Sequence, residues 1–202
     1  GAGSPRSFAA LRVGGEARRD RLTGDWDSMM GSGRAAWYLK PAASHVLIGG
    51  VEFAGVWRER VPFQLALGDH QGGVRGYSAS RATGSVRTVA SIEHRWAMGR
   101  ITRHGVLGLA IFADAGRVWA GDSPFGVDSR TKVGVGVGLL AAFPPESQRL
   151  WRLDLSFPVS PDSRARWEVR LTSVLAGSFP REPRDVARGR AGASPSAIFT
   201  WQ

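Results

Sequence analysis

The sequence predicts an all-β fold, an antiparallel transmembrane β-barrel segment of about eight strands, and three observations predict it. Apolar and polar residues alternate with period 2 through segments of roughly 7 to 14 residues, bounded by Gly, Pro, Asp and Ser clusters. The connections between these segments alternate between long and short. Successive strands also carry Arg, Asp or Glu on one face, and Trp37, Trp57, Trp96, Trp119, Trp151 and Trp167 fall near strand ends, where a lipid-interface girdle places them. Alternation alone suits a soluble β-sandwich equally well. The repeated charges separate the two, because a water-filled or loop-plugged lumen accommodates them and a dry core does not.

Residues 6–19, 33–40 and 44–57 read as the first three strands, the last two joined by a turn at Pro41-Ala42-Ala43. Residues 87–96 set Ala90, Ile92 and Trp96 against Arg87, Ser91, Glu93 and Arg95. Residues 107–119 set Leu107, Leu109, Ile111, Ala113 and Trp119 against Gly108, Phe112, Asp114 and Gly116, with Arg117 on the apolar face near the end, where its stem can snorkel. Residues 131–143 alternate Val133, Val135 and Val137 with Gly134, Gly136 and Gly138. Trp151, Leu153, Leu155 and Phe157 oppose Arg152, Asp154 and Ser156, and within 165–174 Trp167, Val169 and Leu171 oppose Arg166, Glu168 and Arg170. The connections at 20–32, 58–85 and 120–130 are long, and those at 41–43, 98–104 and 144–148 are short. The exception is 158–164, short where a long loop is due.

The net charge of +10 raises nucleic acid as a partner. The cations are almost all arginines scattered singly through apolar stretches, with Lys40 and Lys132 as the two lysines, so nucleic-acid binding is not the expectation. The densest run, Arg181 to Arg190, lies in a Pro/Gly/Arg-rich tail at 175–202 that reads as disordered, after a barrel segment at 1–174. The absence of cysteine excludes disulfides and thiolate metal sites. His45, His70, His94 and His104 show no metal-ligand spacing, and no cofactor motif is present. Ser78, His94 and Asp114 lack the nucleophile elbow a hydrolytic triad needs.

Gly72-Gly73-Val74-Arg75-Gly76-Tyr77 places one arginine among glycines in the longest connection, on the side of the other long loops. Glu93 and Asp114 sit on the polar faces of the next two strands, so both acids can serve one site, with Arg75 delivered between them by an inward-folded loop. The run Val74-Arg75-Gly76-Tyr77, then Phe112-x-Asp114-x-Gly116, then Gly134-x-Gly136-x-Gly138 and Arg152-x-Asp154-x-x-x-Pro158 resembles, in order and spacing over 33–174, the C-terminal barrel half of the BamA/TamA outer-membrane assembly superfamily, which includes two-partner-secretion transporters.

That resemblance implies the last eight strands or so of a sixteen-stranded barrel in the bacterial outer membrane. It implies a non-enzymatic role in inserting or translocating polypeptides, without a cofactor, and a loop carrying Val74 to Tyr77 folded into the lumen with Arg75 paired to Asp114 and Glu93. The implied partners are outer-membrane lipid, client polypeptides, and an N-terminal barrel half and periplasmic domains outside these residues; the chain opens on Gly1 and is expected to be part of a longer protein. Arg152 and Asp154, two apart on one strand, read as a lumen ion pair supporting the wall. The glycines at 134, 136 and 138 either leave room for the loop or serve packing alone. Two other readings remain at this point: a membrane anchor for a larger fused enzyme such as a lipase, and a soluble basic β-domain that binds nucleic acid.

Overall fold

A computed structural model describes residues 7–19, 24, 26–58, 64–68, 73–77, 82–123, 125–144, 149–160 and 167–175. Eight long strands form one antiparallel sheet: β1 (Ser7–Arg19), β2 (Trp26–Ala42), β3 (His45–Trp57), β6 (Val86–Thr102), β7 (Gly105–Trp119), β8 (Lys132–Ala142), β9 (Arg149–Pro158) and β10 (Glu168–Leu175), paired in that order. Two two-residue strands, β4 (Leu65–Ala66) and β5 (Thr83–Gly84), pair with each other inside the connection between β3 and β6. Among the described residues the sheet is open, with β1 and β10 as its edges.

The alternation read from the sequence decides which face meets what. On β9, Arg152, Asp154 and Ser156 are buried while Trp151, Leu153 and Phe157 are exposed. On β7, Phe112, Asp114 and Val118 are buried, and Leu109, Ile111 and Arg117 are exposed. One face is therefore a continuous apolar surface, with Ile92, Ile111, Val137, Leu153 and Leu171 all outward, and the other holds the ions. This inversion of the soluble pattern is what a barrel wall in lipid requires and what a sandwich layer would bury.

Three boundaries differ from the sequence reading, the smallest being the turn read at 41–43, which falls at residues 43–44 because β2 continues through Ala42. The stretch 20–32 does not form a long loop, because β2 begins at Trp26 and its segment Trp-Asp-Ser-Met-Met-Gly-Ser-Gly pairs with β1 and then β3. Small residues of low strand propensity are held there by neighbours on both sides, and Gly31 leaves space for the Trp57 ring. The connection placed at 98–104 shrinks to a turn at residues 103–104, since β6 continues to Thr102 through two register irregularities. Of the tail at 175–202, residues 176–202 lie outside the described residues.

Within the 58–85 connection, residues 64–68, 73–77 and 82–85 lie over the ion-bearing face. The Leu67 amide donates to the Ala82 carbonyl and the Val74 amide to the Leu67 carbonyl, while Leu67, Val74, Tyr77 and Ala82 cluster with Val89 of β6 and Val118 of β7. Val74 is fully buried, although it belongs to a connection. Gly73 permits the crossing, since a Cβ there would overlap the Leu67 carbonyl.

Candidate functional site

The site forms where the tip of this connection, residues 73–77, meets β6 to β10. Arg75 lies flat against Asp114 of β7: its Nε donates to Oδ2 at 2.6 Å and its Nη2 to Oδ1 at 2.8 Å, a two-pronged pairing, and its own backbone amide adds a bond to Oδ2 at 3.2 Å. The third nitrogen, Nη1, donates to Glu93 Oε2 on β6 at 3.1 Å. The guanidinium also sits 3.5 Å from the centre of the Phe112 ring, so one planar cation meets two carboxylates at its edge and an aromatic on its face. Burial works against this charge, but hydrogen bonding and charge from Asp114, then Glu93, outweigh it and raise the Arg75 pKa.

Glu93 is shared. Arg152 of β9 reaches both of its oxygens from Nη1, at 2.7 and 2.8 Å, and uses Nε to hold Asp154 at 2.7 and 2.6 Å. Arg95 approaches Glu93 from the same strand. Three arginines and three acids thus form one network, with Asp114, Glu93 and Asp154 all below 10% exposed. Such a network satisfies charges that none of the strands could bury alone. Arg152 and Asp154 belong to it through Glu93.

The glycines resolve by position. A Cβ at Gly134 would collide with the Arg75 carbonyl, one at Gly116 would press on Val74 and Leu67, one at Gly136 would meet the Phe112 ring, and one at Gly138 would meet Asp154. Gly134 and Gly116 therefore make room for the loop, whereas Gly136 and Gly138 make room for the wall's own side chains. Gly76 takes φ +89, a backbone shape that L side chains rarely adopt. Tyr77 donates its hydroxyl to the Val133 carbonyl at 2.9 Å and accepts from the Ser160 amide at 3.2 Å.

Two contributors escaped the sequence reading. Glu168, the first residue of β10, accepts the Gly76 amide at 3.1 Å. Arg87, 1% exposed, donates to the Ala66 carbonyl at 2.7 Å and to Glu52 at 2.8 Å, pinning the base of the connection. Both lay on polar strand faces, but Glu168 meets the Gly76 amide and Arg87 meets the Ala66 carbonyl besides Glu52, and no side-chain motif signals a backbone partner. His94 bonds His45 on the opposite face of the sheet from Asp114, so these two residues do not form a common catalytic site, and Ser78 lies outside the described residues. Among the described residues no cluster of three or more His, Asp or Glu is arranged to hold a metal.

An Omp85 superfamily domain model matches residues 65–166, from the base of the inserted connection through β9. The chain belongs to the Omp85 superfamily. No curated protein and no solved structure matches it. Omp85 proteins are in general outer-membrane proteins that insert or translocate polypeptides, and the matched span holds Arg75, Glu93, Asp114, Arg152 and Asp154.

Proposed function

We propose that residues 1–174 are the C-terminal half of a sixteen-stranded outer-membrane barrel that inserts or translocates polypeptides, with the 58–85 connection held in its lumen by Arg75 as a latch. The observation that carries this reading is the fork of Arg75 onto Asp114 and Glu93, two strands of the wall gripped by one loop residue. Supporting it are the apolar opposite face, which suits lipid, and the open edges, which need further strands to satisfy their backbone groups in a membrane.

The chemistry suits a latch. A desolvated ion pair gains little over solvated ions, because the cost of removing two charges from water offsets most of their attraction. It is nevertheless demanding of its partner, since either charge left alone in the lumen is strongly unfavourable. The tip is thus held in one position by a contact that water or a passing polypeptide can replace. No bond is made or broken in this role and no cofactor enters it.

The test is a charge swap in the full-length protein, read by the level of client polypeptides in the outer membrane or medium and by membrane fractionation. Arg75→Glu and Asp114→Arg each lower client levels, and the double variant recovers part of the loss. A double variant no better than either single change rejects the latch, and a full-length protein that fractionates as soluble rejects the barrel. A detergent-free protein with salt-dependent binding to nucleic acid favours the basic β-domain instead.

A further inference from the structure

We infer that Glu168 is a positioning residue that ties the last strand of the sheet to the tip of the inserted loop. Among the described residues β10 spans 8 residues and pairs with β9. Two contacts of its opening residue, Glu168, reach beyond the strand. The Ser156 hydroxyl of β9 donates to the Glu168 carbonyl at 3.3 Å, across the register pair that joins the two residues, and the Glu168 carboxylate accepts the Gly76 amide at 3.1 Å.

The tip is seated to make that second bond. A Cβ on Gly76 would stand 3.3 to 3.5 Å from Phe157 and Pro158, so the glycine rests on the end of β9, next to β10. Residues 75 and 76 therefore face opposite ways along the sheet: Arg75 grips β6 and β7, and Gly76 grips β10. Tyr77 fills the interval through the β8 carbonyl of Val133. The tip is a strap across five strands, and its outer end is a carboxylate on the edge strand. Drawing Arg75 out removes the donor from Glu168, and displacing β10 removes one restraint from the tip, so edge and latch move together. The functional meaning of that coupling rests on the latch reading above; the contact itself does not.

Trypsin reports the state of the tip, because it cuts the Arg75–Gly76 bond and the Arg75 side chain is 14% exposed when docked. Full-length protein in outer-membrane fragments is treated with limiting trypsin, and the peptide ending at Arg75 is measured by mass spectrometry against peptides from the strands. Glu168→Ala raises cleavage after Arg75 about tenfold, the range of a lost hydrogen bond to a charged group. Glu168→Gln is cut faster than the parent but more slowly than Glu168→Ala, since its neutral amide oxygen still accepts from Gly76 through a weaker bond.

Glu168→Asp keeps the charge and the fold but falls short of Gly76, so it is also cut faster, which keeps the inference testable if the alanine variant fails to assemble. Cleavage of Glu168→Asp at the parental rate overturns the inference, and so does Glu168→Gln cut as fast as Glu168→Asp. These outcomes do not depend on client handling. If the charge swap at Arg75 and Asp114 fails while they hold, the latch function falls and the strap stands.

Discussion

The base of the inserted connection and its tip are held by different physics. At the base, backbone hydrogen bonds join Leu67 to Ala82, Val56 to Ser85 and Ser85 to Ala120, while Leu65 packs on Ala54 and Arg87 closes the contact from beneath. At the tip Val74 and the Tyr77 ring share the apolar cluster, and beyond them the anchors are ionic and hydroxyl groups: Arg75 to two acids, Gly76 to Glu168, Tyr77 to a carbonyl. Backbone ladders and apolar packing resist exchange with water, whereas polar contacts have solvated alternatives. The polar anchors beyond Val74 are thus the part of the connection that water can replace, and the stem at its base is the part it cannot.

The comparison breaks most severely at the stem. Arg87→Ala leaves Glu52 without this partner and the Ala66 carbonyl without its donor in the least exposed charged site of the described residues. Removing one partner of a buried pair costs about 3 to 5 kcal/mol. The expected outcome is a full-length protein with a lower urea midpoint and cleavage throughout residues 58–85. A midpoint equal to the parent would put the stem's stability in its backbone and apolar contacts alone.

Arg75→Ala comes next, at about 3 kcal/mol, the lower end of the same range because the tip is partly open to water. Its signature differs from that of Arg87→Ala. Hydrogen exchange rises at residues 73–77 and stays slow at Leu65–Leu67, because the stem's contacts are untouched. Fast exchange spreading into the stem would show a single cooperative unit and remove the distinction. Arg75→Lys does not restore the tip, since one ammonium cannot pair with both Asp114 oxygens and Glu93 in this planar arrangement.

The two halves of this comparison were unequally legible in the sequence. The strands and their faces could be read because a period of 2 records burial directly, as Trp151 to Phe157 does. Glu93 and Asp114 could be placed on one face for the same reason, and Arg75 stood out as a lone cation among glycines. The start of β2 was hidden because glycines and serines paired on both sides look like a loop to any propensity scale. The stem was hidden for another reason: Leu65–Ala66 and Thr83–Gly84 are two-residue strands whose partner lies 17 or more positions away, and a backbone carbonyl such as that of Ala66 carries no side-chain signature.

Gly134→Ala tests the tip without altering a charge. The added methyl overlaps the Arg75 carbonyl, so the tip lifts or β8 bends, at a cost of about 2 kcal/mol, typical of overpacking. Trypsin cleavage after Arg75 should rise while urea stability of the strands changes little. Gly136→Ala serves as the contrast, since its methyl meets the Phe112 ring and the Leu155 carbonyl within the wall. It should lower strand stability, and the Arg75 bond should be exposed only as the wall itself loosens.

The smallest effect belongs to Tyr77→Phe. The ring stays in the cluster with Leu67, Val74 and Val118, so the apolar burial is kept. The hydroxyl is lost, and with it the donation to the Val133 carbonyl and the acceptance from the Ser160 amide. The Val133 carbonyl keeps the Val159 amide as a donor and the Ser160 amide can turn to water, so the net loss is about 1 kcal/mol. Exchange at the Ser160 amide should quicken, while Arg75 stays protected from trypsin because its carboxylate partners remain. Release of Arg75 by this change would make the hydroxyl a second latch of equal rank, and the division of the tip into a charged lock and a neutral brace would have to be redrawn.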